Sequence, residues 1–135
     1  MKSGFLCLGA LCAFMGVGMG AFGAHALKKM LSPEMMAVYQ TAVTYQMWHA
    51  LGLIAIAQFR AQAPDSSLLT FAGVLMFLGV LLFSGSLYGL ALLNLNWLGM
   101  ITPVGGVCFL IAWLLIALFT IKKQSPSRYN SNARR

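Results

Sequence analysis

The chain has 135 residues, of which 60% are hydrophobic and only 8% are charged, with a formal net charge of +7. Soluble domains are usually about one quarter charged. No Asp, Glu, Lys or Arg occurs from residue 66 through residue 121, so lipid must surround most of the chain. The composition excludes a soluble globular protein and predicts a polytopic membrane protein with a single compact domain.

The positive charge is concentrated at the C-terminal end. Five of the nine cations lie in the segment 122–135, "KKQSPSRYNSNARR", where aromatic and basic residues do not alternate as a nucleic-acid groove would require. We therefore predict no nucleic-acid partner, and we interpret the segment as a disordered basic cytoplasmic tail facing anionic lipid. Cys7, Cys12 and Cys108 lack the spacing of a metal site or a disulfide framework, so no metal and no cofactor are predicted.

Four apolar stretches are long enough to cross a bilayer, which takes about 20 residues. Ser32, Pro33 and Glu34 predict the start of the second helix, and Asp65 or a serine after it can cap the third. The long uncharged run after Asp65 breaks at "NLNWLGMITP". The sequence predicts an all-α membrane protein, a four-transmembrane-helix bundle within residues 1–121, with spans at 5–24, 38–59, 68–93 and 104–121.

The orientation follows from the Lys and Arg residues of the connections. Lys28 and Lys29 lie on one side, whereas the other side carries Lys2, Arg60, Lys122, Lys123, Arg128, Arg134 and Arg135. This excess predicts both termini in the cytoplasm, in the inner (plasma) membrane of a bacterium. The first run also resembles a signal peptide, but its span length and its glycines favour a retained helix.

Polar residues occupy one face of the second span. Tyr45, Gln46 and His49 fall within a sector about 100° wide on a helix. Because successive spans are antiparallel, the polar residues of the third span and the end of the first are expected in the same outer half of the bundle. The candidate polar cluster comprises His25, Tyr45, Gln46, His49, Ser84, Ser86 and Tyr88.

Glycines recur at spacings typical of close helix packing, including two G-x-x-x-G pairs. We interpret them mainly as packing positions within one chain, with a homo-oligomer interface as the alternative. The glycines in question are Gly16, Gly20, Gly23, Gly85, Gly89, Gly105 and Gly106.

We predict a binding or transport function for the polar cluster, with a structural function as the alternative. Its residues can line a polar crevice of a binding or transport module, because an ionisable residue within a membrane suggests such a site. Alternatively, they only join helices in a structural or assembly protein, whose partners besides the bilayer are a second copy or another membrane protein. Enzyme chemistry is not predicted, because Glu34 and Asp65 are the only carboxylates and are expected on opposite faces of the membrane.

Four motifs in order, "GAFGAH", "YQMWHAL", "FSGSLY" and "ITPVGG", resemble a known family from about residue 8 to residue 121. It is the domain of unknown function 423 family, which includes uncharacterised protein family 0382 and proteins similar to transmembrane protein 256. The resemblance implies a small four-helix inner-membrane protein and brings no established activity or cofactor. The positions that match its pattern are Gly20, Gly23, His25, Tyr45, Gln46, His49, Ser84, Gly85, Ser86, Tyr88, Thr102, Pro103, Gly105 and Gly106.

Overall fold

The computed structural model describes residues 4–124, so residues 125–135 of the predicted basic tail lie outside the described part. The α-helices are α1 (Gly4–His25), α2 (Pro33–Gln62), α3 (Ser67–Gly79), α4 (Gly85–Leu93) and α5 (Thr102–Gln124). A five-residue π-helical segment, Val80–Ser84, joins α3 and α4 into one continuous helix. Residues 4–124 therefore form four long helices and contain no strand, in agreement with the predicted all-α class and the predicted number of helices.

The helix ends follow the local signals in the sequence. The Ser32 hydroxyl accepts a hydrogen bond from the Met35 N–H at 3.2 Å, and Pro33 is the first residue of α2. The Ser66 hydroxyl caps α3 by accepting from the Leu69 N–H. After α4, Asn94 adopts a left-handed conformation with φ of 55°, which ends a helix readily. These contacts confirm the predicted start of α2 and the predicted break near residue 94.

Helix α2 lies at the centre of the arrangement. Helix α1 packs along α2, and α2 packs against α3, the π segment and α4. Helix α5 packs against α3 and the π segment. The larger core lies where these helices meet, and its fully buried members include Ala50, Leu53, Ile56, Ala72 and Met76.

Three helical segments are long and apolar enough to cross a membrane, namely Gly4–His25, Ser67–Leu93 and Asn96–Lys123. The predicted span 38–59 is not among them, although α2 is the longest helix. The reason is that the apolar stretch of α2 is interrupted by polar side chains, among them Gln46 and His49. Gln46 and His49 are buried against neighbouring helices, so α2 tolerates polar residues that a lipid-facing surface would not.

The π segment was not predicted from the sequence. It is marked by the Gly85 N–H, which donates to the carbonyl of Val80 five residues earlier instead of four. One wider turn of this kind shifts the following side chains around the helix, and such segments often occur at functional sites. Here the wider turn carries Phe83, which contacts α5, and Ser84, which contacts α2.

Candidate functional site in the polar half of the bundle

Gln46 connects three helices through its side-chain amide. It is 3% exposed, and its Nε2 donates to the Cys12 carbonyl in α1 at 2.8 Å. Its Oε1 accepts a 2.7 Å hydrogen bond from the Tyr88 hydroxyl in α4. Both ends of the amide are therefore hydrogen-bonded, as a buried polar group requires.

Tyr39 extends this network toward the end of α1. Its hydroxyl donates to the Met19 carbonyl at 2.6 Å, and its ring meets the ring of Tyr88 edge to face, with centroids 5.3 Å apart. Tyr39 is 1% exposed. Tyr39 was not among the residues predicted from the sequence, although it lies seven positions before Gln46 and hence near the same helix face. That spacing was the signal available to find it.

Two serines of the third long helix make separate contacts. The Ser84 hydroxyl, on a residue that is 1% exposed, donates to the Ala42 carbonyl in α2 at 2.8 Å. The Ser86 and Thr102 hydroxyls lie 2.7 Å apart, and Ser86 also donates to the Phe83 carbonyl. Ser84 thus joins the π segment to α2, while Ser86 joins α4 to α5. We call these contacts, together with those of Gln46, Tyr39 and Tyr88, the interhelical network.

His49 and Tyr45 lie outside the interhelical network. The His49 Nδ1 is 2.6 Å from the Tyr45 carbonyl oxygen, so Nδ1 carries the donating proton and Nε2 of the neutral ring is left as an acceptor. The His49 ring stacks on Phe109 with centroids 3.4 Å apart, and the Tyr45 ring stacks on Phe83 at 4.4 Å. Together with Trp113, these rings form an aromatic cluster between α2, the π segment and α5.

The aromatic cluster lines a cavity of about 380 Å³, here called the His49 groove. Its lining includes Tyr45, His49, Phe83, Phe109 and Trp113. The contact between His49 and the aromatic residues of α5 was not predicted from the sequence. The four-residue spacing of Phe109 and Trp113, which matches that of Tyr45 and His49, was a usable signal.

A second cavity of about 300 Å³ lies between α1 and the third long helix. Its walls are mostly apolar, and Gln46 and Ser84 are among the residues that line it. Both side chains already donate to carbonyl oxygens of neighbouring helices. The predicted polar crevice named the same two residues, and the structure gives both of them hydrogen-bond partners on neighbouring helices.

The last member of the candidate cluster, His25, is placed apart from the others. It is the final residue of α1 and is exposed. Within residues 4–124 no hydrogen bond joins it to the other six candidates. Among the same residues, no group of three His, Cys, Asp or Glu side chains is arranged to hold a metal ion.

Four of the candidate packing glycines lie against neighbours in the same chain. A methyl group added to Gly16 would meet the Met47 sulfur at 2.5 Å, and one added to Gly23 would meet the Tyr39 ring at 2.5 Å. Additions at Gly89 and Gly105 would collide with Leu98 and with the Phe83 backbone. Additions at Gly20 and Gly106 would make only ordinary contacts, and Gly85 has nothing within 4 Å.

Comparison with known proteins gives consistent matches along most of the chain. The family model described as "Protein of unknown function (DUF423)" matches residues 19–106. A UPF0382 membrane protein of Staphylococcus epidermidis is 49% identical over 118 residues, which cover 87% of this chain and 95% of that protein. The identity is 51% with a homologue of Staphylococcus haemolyticus, over the same shares. The UPF0382 membrane protein YwdK of Bacillus subtilis is 45% identical, over 87% of this chain and 96% of its own. No solved structure matches the chain.

Proposed function

Because the chain belongs to the DUF423 family, whose relatives are named UPF0382 membrane proteins, we propose that it is a non-catalytic, four-span protein of the inner membrane with a structural interhelical network. The family itself is uncharacterised, so the proposal depends on the geometry of the polar residues. The observation that carries it is Gln46, which is 3% exposed and hydrogen-bonded at both ends to different helices.

The fourth span in this proposal is α2. Its 30 residues give a length of about 45 Å, more than the roughly 30 Å hydrocarbon core requires. Two of its buried polar side chains, Tyr39 and Gln46, make hydrogen bonds to α1 or α4, so they need no contact with lipid. A helix of this kind can cross a membrane inside a bundle even though its composition is less apolar than that of its neighbours.

The cytoplasmic placement of both termini is supported by the ends of the helices. The Lys123 Nζ donates to Gln62 Oε1 at 3.0 Å, and the Arg60 guanidinium lies 5.5 Å from the Phe5 ring centroid. The start of α1 and the ends of α2 and α5 therefore share one end of the bundle. The excess of cations at this end supports a cytoplasmic location.

The structural function is favoured over a polar crevice because Gln46 and Ser84 are buried and hydrogen-bonded. A water-filled crevice requires access to Gln46 and Ser84, which are 3% and 1% exposed. Each already has a partner on another helix. Hydrogen bonds between membrane helices average only about 0.6 kcal/mol, so such a network selects which helices pair more than it raises total stability.

A double-mutant cycle tests this function. Gln46→Leu, Tyr88→Phe and the double variant are compared by reversible unfolding in detergent. We expect a coupling free energy of about 0.6 to 1.7 kcal/mol, the range measured for such bonds. Gln46→Leu combined with Thr120→Ala is the control. Their effects on the free energy of unfolding should be additive, because the Thr120 hydroxyl is bonded only within its own helix. If the effects of Gln46→Leu and Tyr88→Phe on the free energy of unfolding are additive, the proposed structural function is wrong.

A second function, binding of a small molecule, is favoured by one separate observation. The His49 groove has a volume of about 380 Å³ and contains a histidine nitrogen that the interhelical network does not use. This function does not compete with the first, because the network and the groove involve different side chains.

A further inference from the structure

The His49 groove has the size and lining of a small-molecule site. Its volume of about 380 Å³ lies within the range of roughly 300 to 1,000 Å³ that is typical of ligand pockets. The rings of His49 and Phe109 lie within 11° of parallel, and those of Tyr45 and His49 within 19°. Nearly parallel rings favour a flat aromatic guest, which can stack on them or meet them edge to face.

The groove contains one hydrogen-bond acceptor that no group of the described residues uses. His49 is 6% exposed and lines the cavity. Its Nδ1 proton is directed to the Tyr45 carbonyl, so Nε2 carries the lone pair. Within residues 4–124 no hydrogen bond reaches Nε2, and Nε2 is not among the fully buried atoms without a partner, so it is accessible from the groove. An unpaired acceptor next to lipid is unfavourable, because hydrocarbon offers it no donor. A ligand that donates an O–H to Nε2 would supply the missing partner.

A second polar group lies at the edge of the groove. Tyr45 is 41% exposed, and its hydroxyl makes no hydrogen bond within the described residues. The rim next to it is apolar, with Val107 52% exposed and Leu110 72% exposed. These residues belong to a segment apolar enough to cross a membrane, so the groove opens toward the acyl chains. A ligand would therefore enter from the lipid phase.

We propose that the His49 groove binds a lipid-soluble phenol or quinol, a flat ring whose hydroxyl donates to His49 Nε2. The ring occupies the space beside Phe109 and Phe83, and its apolar substituent extends past Leu110 into the bilayer. An acyl chain lacks both a ring and a donor, so it would leave Nε2 unpaired. The hydroxyl distinguishes this ligand class from bulk lipid.

The first test observes His49 directly. The full chain is placed in lipid nanodiscs without a histidine tag, with histidine labelled with the heavy nitrogen isotope. Because the chain has two histidines, His25→Gln leaves His49 as the only signal. Addition of para-hexylphenol should move the Nε2 resonance toward the position of a hydrogen-bonded nitrogen. Para-hexylanisole, its methyl ether, cannot donate and should leave the resonance in place.

The second test measures affinity. Trp48→Phe and Trp97→Phe leave Trp113 of the groove as the fluorescent reporter. His49→Phe keeps a ring beside Phe109 and removes the acceptor, so affinity for para-hexylphenol should fall about five- to tenfold, as expected for the loss of one hydrogen bond. Affinity for para-hexylanisole should not change.

Three results would overturn the proposal. The first is an Nε2 resonance that para-hexylphenol does not move. The second is an Nε2 resonance that moves equally with para-hexylphenol and with para-hexylanisole. The third is an affinity for para-hexylphenol that is the same in His49→Phe as in the parent. Any of them would show that the groove does not select a ligand by a hydroxyl that donates to His49 Nε2. If His49→Phe does not fold, the resonance test decides the matter, because it leaves the groove residues unchanged.

Discussion

Gly105 lies directly against the backbone of Phe83, so that a methyl group on Gly105 would come within 2.8 Å of the Phe83 Cα. This contact brings the start of α5 onto the π segment. Because the neighbour is backbone, it cannot move away as a flexible side chain would. Gly105→Ala should therefore lower the free energy of unfolding by about 1 to 3 kcal/mol, the usual cost of overpacking.

Gly85 supplies the matched control for Gly105. It also belongs to the predicted packing glycines, but it has nothing within 4 Å of its missing side chain. Gly85→Ala should be neutral or stabilising by up to about 1 kcal/mol, because alanine favours the helix. Reversible unfolding of both variants in detergent measures the difference. Equal losses would show that close packing at Gly105 does not stabilise the bundle.

The hydroxyl of Ser84 gives a second prediction about stability. Ser84→Ala removes the hydrogen bond to the Ala42 carbonyl, so we expect a loss of about 0.6 kcal/mol in the same assay. Thr41→Ala is the comparison, because the exposed Thr41 hydroxyl bonds only to Ala37 within its own helix. A loss at Thr41 as large as that at Ser84 would contradict the assignment of Ser84 to the interhelical network.

The contact between Lys123 and Gln62 predicts a cross-link. In a chain without native cysteines, Gln62→Cys and Lys123→Cys should be joined within one molecule by a short bifunctional thiol reagent, because the parent side chains are 3.0 Å apart. Gln62→Cys paired with Lys28→Cys should not cross-link, since α2, which is about 45 Å long, separates these positions. Cross-linking of the second pair would contradict the described order of helix ends.

Much of the fold was accessible from the sequence because its signals are local. The hydropathy pattern locates the long helices, Ser32 and Pro33 mark the start of α2, and Asn94 lies at the break before α5. The π segment was not accessible, since the run "VLLFS" is an ordinary apolar helical sequence. The wider turn occurs where Ser84 contacts α2 and Phe83 contacts α5. These are long-range contacts, which a local sequence pattern does not contain.

The candidate site was only partly accessible for a related reason. Antiparallel topology brings Gln46, Ser84 and Tyr88 to the same half of the bundle, and the structure places them in contact with neighbouring helices there. The partner of each side chain depends on the rotation and the register of whole helices, which no local pattern specifies. For this reason His49 was grouped with Gln46, although it stacks with an aromatic residue of α5. Tyr39 was missed although its spacing from Gln46 was available in the sequence.

The central claim is that the interhelical network is dry, and thiol labelling tests it most directly. After Cys7, Cys12 and Cys108 are replaced by alanine, Gln46→Cys and Ser84→Cys are introduced singly in intact cells. Lys29→Cys, at an exposed position, serves as the reactive control. A membrane-impermeant maleimide added from outside should label the control and neither network position. Labelling of both Gln46→Cys and Ser84→Cys at the rate of the control would instead mean a water-filled crevice, and the structural function would be wrong.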